Sequence, residues 1–595
     1  MKNIFRVSVI ALGFLLVTNA LIAREQPILH PKSGPPLKEA AAGCTPGSAY
    51  KYLDINNVRT LMYSYGNGWF LETAAYEIPK GSKKMSMFST SLWIGGIDMN
   101  NNLKLAAYKY GQGPTITAAH TNNDFWPGPL TIDGTASITD AVCAKYDQLY
   151  PMTRADVTAF LAWWQDQASY PDYTIPKNIQ NWPGNGDPSK GQSLYLAPFF
   201  DQNGDGVYTP SQGDYPYYDL ANDLCPNKLK IGERQKRAHI RNGEVSDTAG
   251  ILVDQVIKGD QTLWSVYNDK GNYHSETQGA PIGMEIRAQY FAFATNDEIN
   301  NMTFYSYEII NRSTYTLSGT YFSQWVDPDL GYAGDDYVGC DVLRGLGYCY
   351  NGKPIDGTGQ VEAYGAHPPA VGVDFFQGPY LDPDGYDNPS FNGPGIKGPS
   401  FKNMSSICDI VSYNNQIIDM TWGAHGEYTA PVLVKAEAIN GINFGDGIVD
   451  NERFGMRRFV YHNNSGVPAY MLDPAYAAQY YNYLKGIWLD NTKMVYGGNG
   501  NLLNGGGYGP VCDFMFPGDS DPCLWGTNGL EPNRPGVWTE ATAGNNPSDR
   551  RFMQSAGEFT LLPGACNYIT VGIPWARTIS GTNLESIDLL KLADD

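Results

Sequence analysis

Charge is scarce in this sequence. Only 17% of its 595 residues are Asp, Glu, Lys or Arg, and only seven are histidine. The charge present is lopsided, at −20 with a pI near 4.8. An acidic surface repels phosphate backbones, so no nucleic-acid partner is expected. The histidines are scattered and no C-x-x-C occurs, which argues against structural zinc and for ordinary surface or core histidines. Catalytic signatures are missing too: there is no H-E-x-x-H, no G-x-S-x-G and no Walker A loop. His274-Ser-Glu276 and His425-Gly-Glu427 lack the helical spacing that converges on zinc. Gly393-Pro-Gly-Ile-Lys-Gly398 matches G-x-G-x-x-G by letter, yet it follows no strand and opens no helix. No segment after the N-terminus has about 18 consecutive apolar residues, so the mature form is expected to have no membrane span.

What is abundant is turn and ring chemistry: Gly 66, Pro 39 and Tyr 41, in a chain 42% hydrophobic. That mixture suits many short strands joined by turns, and the fold expected is mainly β: antiparallel β-sandwich domains with long Gly/Pro-rich loops and a few short helices. The length exceeds one ordinary core. Lys2 and Arg6 precede the apolar run Val7–Val17 and small residues follow, the layout of a signal peptide over 1–23. The expected organisation continues with a linker over 24–50 and a β-rich region with a calcium loop over 51–250. A central sandwich over 251–440 and a C-terminal β-rich region with one helix over 441–580 follow, then the start of a helix cut short over 581–595.

Alternation supports this reading. Leu92–Ile97 and Leu103–Tyr108 flank an Asn-rich turn, a hairpin pattern. Ile282–Thr295, Met302–Asn311 and Leu317–Val326 alternate like successive strands of an antiparallel sheet with one buried face. Phe559–Leu562 and Tyr568–Trp575 around Pro563-Gly564 predict a further hairpin. Helices are expected over Asp156–Asp166, capped by Asp156, and over Asp473–Leu489, capped by Asp473. In an exported chain the nine cysteines read as disulfides with one left over, and Cys340–Cys349 and Cys512–Cys523 are the expected local pairs.

The sharpest chemical pattern is Asp201-Gln-Asn-Gly-Asp-Gly-Val-Tyr-Thr-Pro-Ser-Gln-Gly-Asp214. Asp201, Asn203 and Asp205 place side-chain oxygens at every second position, Gly206 permits a sharp turn, and Val207 can offer its carbonyl. The stretch resembles an EF-hand or dockerin calcium loop, with Thr209 at position nine. Gln212 replaces the usual bidentate Glu, and Asp214 is the expected substitute. The flanks are not helical, so a fixed Ca2+ clamp is expected rather than a switch. The competing reading is a solvated Asx-rich turn. A less regular set is Asp327, Asp329, Asp335, Asp336 and Asp341, whose mutual repulsion invites a second cation or, alternatively, a paired-carboxylate hydrolase site. Asp382–Asp387 and Asp446–Glu452 are further acidic turns.

Several phrases stand together in a recognisable way: Ser91–Gly96, Asn123–Pro129, Asp205-Gly206 with Gly213–Pro216, Gln324–Gly331, Phe444–Asp450 and Phe514–Asp519. With them the chain resembles large secreted proteins of Bacteroidota that often carry a C-terminal type IX secretion sorting domain. The resemblance implies passage through the outer membrane and display on, or release from, the cell surface, and it implies no known reaction. This sequence departs from the group in lacking the sorting domain. The expected function is a secreted, calcium-stabilised cell-surface protein, non-enzymatic, with glycans or matrix and surface proteins as partners. The alternative is a secreted polysaccharide hydrolase using paired Asp or Glu.

Overall fold

Runs of aromatic and β-branched residues broken by Gly, Pro and Asn turns form strands here because a pleated surface packs branched side chains well. The computed structural model describes residues 43–70, 76–110, 122–218, 257–383, 441–443, 450–522, 524–532 and 536–595, and the backbone alone of 418–422 and 428–433. The protein is mainly β, with antiparallel sheets and few helices. Its principal strands are β1 (Tyr50–Leu53), β2 (Arg59–Tyr63), β3 (Ser89–Ile97), β4 (Leu103–Ala106), β5 (Gln261–Asn268), β6 (Met284–Ala292) and β7 (Thr303–Asn311). There follow β8 (Leu317–Asp327), β9 (Asp336–Asp341), β10 (Leu346–Asn351), β11 (Ala370–Gln377), β12 (Arg458–His462), β13 (Arg551–Leu561) and β14 (Cys566–Ile573). The helices used below are α1 (Asp140–Tyr146), α2 (Arg154–Gln165), α3 (Ala477–Leu484) and α4 (Asn583–Asp594).

One sheet runs β12–β13–β8–β3–β4, and a larger one contains the run β9–β10–β11–β14–β7–β6–β5, with antiparallel pairing throughout. The two sheets meet face to face. Phe322 of β8 lies against Tyr307 of β7 and Phe375 of β11, with ring centroids 5.8 Å apart in each pair. Each such ring buries about 150–250 Å², roughly 4–6 kcal/mol of transfer free energy. Strands from 51–250, 251–440 and 441–580 alternate within the same sheet, as β3, β8 and β13 do.

The expectation of a single buried face is corrected by the packing. The opposite face of β8 is covered as well: Trp325 stacks on Trp93 of β3, and Tyr480 of α3 closes over Trp93 at 4.7 Å. β6 is likewise buried at every position. Its Glu285 accepts from the Leu130 N–H and pairs with Arg287 (2.9 Å) and Arg312 (2.8 Å). Burial alone would raise Glu285, but Arg312 and Arg287 outweigh it and hold the carboxyl at about 2. A polar residue in an alternating pattern therefore marks a covered face here, because the 122–218 segment packs over it.

The hairpin of β3 and β4 forms as read, with Ile94 opposite Ala106, and the Asp98 carboxylate accepts the Asn100 and Asn102 N–H groups in its turn. The hairpin expected around Pro563-Gly564 does not: β13 belongs to one sheet and β14 to the other, so these residues carry the chain across the sandwich. α2 is capped by Thr153, whose hydroxyl accepts from the Asp156 N–H, one turn earlier than expected. Asp473 caps no helix; α3 begins at Ala477, and the Asp473 carboxylate holds His462 instead. Cys340 and Cys349 remain buried thiols, because β9–β10 register sets Cys340 opposite Gly347 and Cys349 opposite Val338, a diagonal rather than a facing pair. Among the described residues, a disulfide joins Cys44 to Cys143 of α1 across 99 residues, a loop whose closure stabilises by about 4–5 kcal/mol in the chain-entropy account. Cys512 is a buried thiol donating to the Phe514 carbonyl; Cys225, Cys408 and Cys523 lie outside the described residues.

α4 starts with a capping box, Thr582 with Glu585, and lays Ile587 and Leu590 against Leu346, Tyr348, Tyr350 and Ala370. At its far end Asp594 faces Asp374 of β11, and each carboxylate has a buried oxygen with no hydrogen-bond partner. Arg344, Asp595, Asp341 and Lys591 surround them; Arg344 is spent on Asp595 and Asp341, and Lys591 on Asp341. Burial and Asp594 push Asp374 well up, and burial with Asp595 and Asp341, against Arg344, raises Asp594 to about 7. Raised carboxylates bind protons in the docked state, so their stabilisation is complete below the ordinary carboxylate range and lost as pH rises through about 7. Hydrogen exchange over residues 583–594, corrected for intrinsic rates, is expected to be slower at about pH 5.5 than at about pH 8. Asp374→Asn should remove most of that difference; equal protection at the two pH values would contradict the assignment.

Candidate metal centre

β8 places Trp325 and Asp327 on one face, and Pro328, having no N–H, ends the ladder there. The chain then turns so that Asp329 comes back beside Asp327. β13 enters as the antiparallel neighbour with Phe552 opposite Val326, which brings Arg551 and Asp549 to the same point. One carboxylate oxygen from each of Asp327, Asp329 and Asp549 lies within 4.8 Å of the others. Arg551 spans the group, with Nη2 3.1 Å from Asp327 Oδ2 and Nη1 3.0 Å from Asp549 Oδ2. The Tyr110 hydroxyl donates to Asp327 Oδ2 (2.7 Å) and accepts from Arg551 Nε (2.6 Å). Asp327 is 1% exposed.

Three carboxylates thus face one guanidinium. At 4.8 Å and an effective dielectric of about 20, each ionised carboxylate pair repels by about 3–4 kcal/mol. Burial raises Asp327 well above the carboxylate range, with Arg551 opposing and Asp329 adding to it. Burial and then Asp549 push Asp329 up to about 7. Burial disfavours the Arg551 charge, yet Asp327, Tyr110 and Asp549 reverse this and hold it more firmly protonated than usual. Asp327 Oδ1 and Asp549 Oδ1 are buried and accept no hydrogen bond. All-oxygen donors, excess negative charge and two unpartnered acceptors fit a hard divalent cation, which seeks about six to eight oxygens at roughly 2.3–2.6 Å.

The expected five-residue acidic set divides. Asp327 and Asp329 converge, and Asp549 joins them from the far end of the chain. Asp341 is neutralised elsewhere, by Arg344 and Lys591 at 3.1 Å each. Asp335 accepts from the Gly357 N–H and Asp336 from the Leu330 N–H, and neither belongs to that group, although Asp329 still raises Asp336. Asp549 precedes Arg550-Arg551 at a strand entry, a carboxylate next to two cations, and no local spacing distinguishes that from an exposed ion pair.

The Asp201–Asp214 loop turns at Gly204 and Gly206, both with positive φ, as the pattern requires. Its carboxylates are engaged. Asp201 accepts the Gly204 and Gly206 N–H groups, Asp205 the Val207 N–H and Asn203 Nδ2, and Asp214 the Gln202 and Thr209 N–H groups. Asn203 also reaches Gln212, Val207 is half exposed, and Thr209 leads into a short 3-10 turn. Asp382 accepts from the Thr560 N–H, while residues 384–387 and 444–449 lie outside the described residues.

Two histidines are core residues. The ring nitrogens of His274 face the Leu105 and Asp269 carbonyls. His462 sits between Asp473 (3.0 Å) and the Trp325 indole N–H (2.9 Å), an Asp–His arrangement without a nucleophile. Burial lowers His462, so its Nε2 accepts from Trp325 and has no lone pair left for a substrate proton.

Arg551→Met leaves the Asp327 and Asp549 charges uncompensated. With divalent cations chelated, calorimetry should show a loss of about 3–5 kcal/mol, and saturating calcium should recover much of it; an unchanged transition would contradict the charge assignment. No protein family, no curated protein and no solved structure matches this chain.

Proposed function

We propose that this is an exported, calcium-braced β protein that binds glycan or matrix at the cell surface and performs no turnover. The observation that carries the reading is the Asp327–Asp329–Asp549 group, with two buried carboxylate oxygens lacking any partner among the described residues, where β8 ends and β13 begins. A cation there would tie the two central strands of the smaller sheet to the loop after Pro328. The signal-peptide layout and acidic balance agree with an exported calcium protein. Among the described residues, no helix is long and apolar enough to cross a membrane.

A recess of about 580 Å³ supports the binding half of the proposal. Tyr50, Lys51, Tyr150, Lys177, Asn178 and Asn181 line it, a mixture of rings, amides and ammonium groups suited to sugar hydroxyls and acidic sugars. Its wall at Ser48–Ala49 is fixed by the Asp147 carboxylate, which accepts both N–H groups, and by the neighbouring Cys44–Cys143 disulfide. The hydrolase alternative would use Asp327 and Asp329. Against it, Asp327 is buried, and its Oδ2 is held by Tyr110 and Arg551. A polymer needs an open cleft flanked by both carboxyls.

Thermal unfolding should shift upward by several degrees with calcium at about 100 times its Kd, equivalent to roughly 2.7 kcal/mol. Asp549→Asn should abolish most of that shift, and an identical midpoint with and without chelator would sink the proposal. Incubation with a polysaccharide panel should give retention without cleavage, weakened by joint Lys51→Ala and Lys177→Ala. Cleavage that disappears in Asp327→Asn or Asp329→Asn would establish the hydrolase instead.

A further inference from the structure

A separate set of unsatisfied oxygens lies at the open end of the β9–β10 pair. Asp336 begins β9 and stands directly opposite Asn351, the last residue of β10, so both side chains project from the same face. Asp335 precedes them in a short 3-10 turn, and its carbonyl accepts the Gly352 N–H. The three residues are 2%, 0% and 0% exposed for Asp335, Asp336 and Asn351. Each uses its other polar atom. Asp335 Oδ2 accepts from Gly357 N–H, Asp336 Oδ2 from Leu330 N–H, and Asn351 Nδ2 donates to the Lys353 carbonyl. That last bond fixes the amide orientation, so Oδ1 is the atom left over. Asp335 Oδ1, Asp336 Oδ1 and Asn351 Oδ1 are all buried and unpartnered.

Among the described residues, no protein cation fills this place. Lys353 is half exposed and stays 3.9 Å from Asp335 Oδ2, the oxygen already bonded. Arg550 is committed to Glu540, with Nε within 2.9 and 3.0 Å of its two carboxylate oxygens. Asp356 and Asp329 both add negative charge at Asp336, and Asp356 accepts the Tyr332 and Tyr364 N–H groups. Leaving a buried carboxylate or amide oxygen bare costs about 1–3 kcal/mol, more for a charge, and three bare acceptors on adjoining residues signal an absent electropositive partner.

We propose that Asp335, Asp336 and Asn351 hold a second divalent cation of the calcium type, on a ligand set separate from Asp327, Asp329 and Asp549. Two carboxylate oxygens and one amide oxygen supply the neutralising charge and the hard donors, and water completes the shell. The proposal stands on its own oxygens and does not require the first group to be filled.

Calcium bound to the full chain is measured by equilibrium dialysis and elemental analysis, with circular dichroism confirming that each variant is folded. Asp336→Asn is expected to bind one equivalent fewer than the unmodified chain, and the Asp336→Asn, Asp549→Asn double variant one fewer than Asp549→Asn alone. Asn351→Ala, the milder change, should weaken one class of sites at least tenfold, and it decides the matter if Asp336→Asn does not fold. Unaltered stoichiometry and affinity in the Asp336 and Asn351 variants would overturn the proposal and leave a shared proton as the partner of these oxygens. Loss confined to Asp549→Asn would uphold the first group alone and overturn this proposal, and loss confined to Asp336→Asn would uphold this proposal alone.

Discussion

Carboxylates taken out of water where strands end are the constraint on which this structure turns. β8 and β13 are neighbouring strands buried along most of their length, and β8 ends at Asp327 where β13 begins beside Asp549. Desolvation disfavours leaving those charges bare, so the fold sets Arg551 and Tyr110 against them. The same device recurs with a different solution at each place. Glu285 is answered by two arginines, Asp341 by Arg344 and Lys591, and Asp336 by a single backbone N–H. Where protein cations suffice, the acid is structural. Where they do not, acceptor oxygens remain open, and the cation-binding reading begins at those places.

Much of the local structure was legible in the sequence. Alternation identified the long strands, the Asp98 turn marked its hairpin, and a helix was expected at the C-terminal end, where α4 forms. The turn geometry of the Asp201 loop followed from glycine placement. What escaped was partnership across the chain. The pairing of β3 with β8 and of β8 with β13 depends on which buried faces complement each other, and no short window contains that information. Cys340 and Cys349 were close in sequence, yet antiparallel register put them on a diagonal, while Cys44 found a partner 99 residues away. For the same reason Asp549 could not be joined to Asp327 and Asp329 from spacing, although the D-P-D at the end of β8 already located half of the group.

The loop and the centre also differ in what their oxygens are doing. In the Asp201–Asp214 stretch the carboxylates accept backbone N–H groups, which fixes the turn whether or not an ion is present. At Asp327 and Asp549 one oxygen of each is held and the other is not. Geometry of the first kind builds a rigid surface loop. Geometry of the second kind leaves acceptor oxygens whose cost depends on what else can reach them.

The crossing at Pro563-Gly564 has a consequence for how the molecule comes into being. β13 sits between β12 and β8, and β14 sits between β7 and β11, so both sheets keep a vacant central slot until the last strands are synthesised. More than five hundred residues must be made before either sheet can close. Contacts of such long range form slowly. A chain built this way completes both sheets only with its last strands.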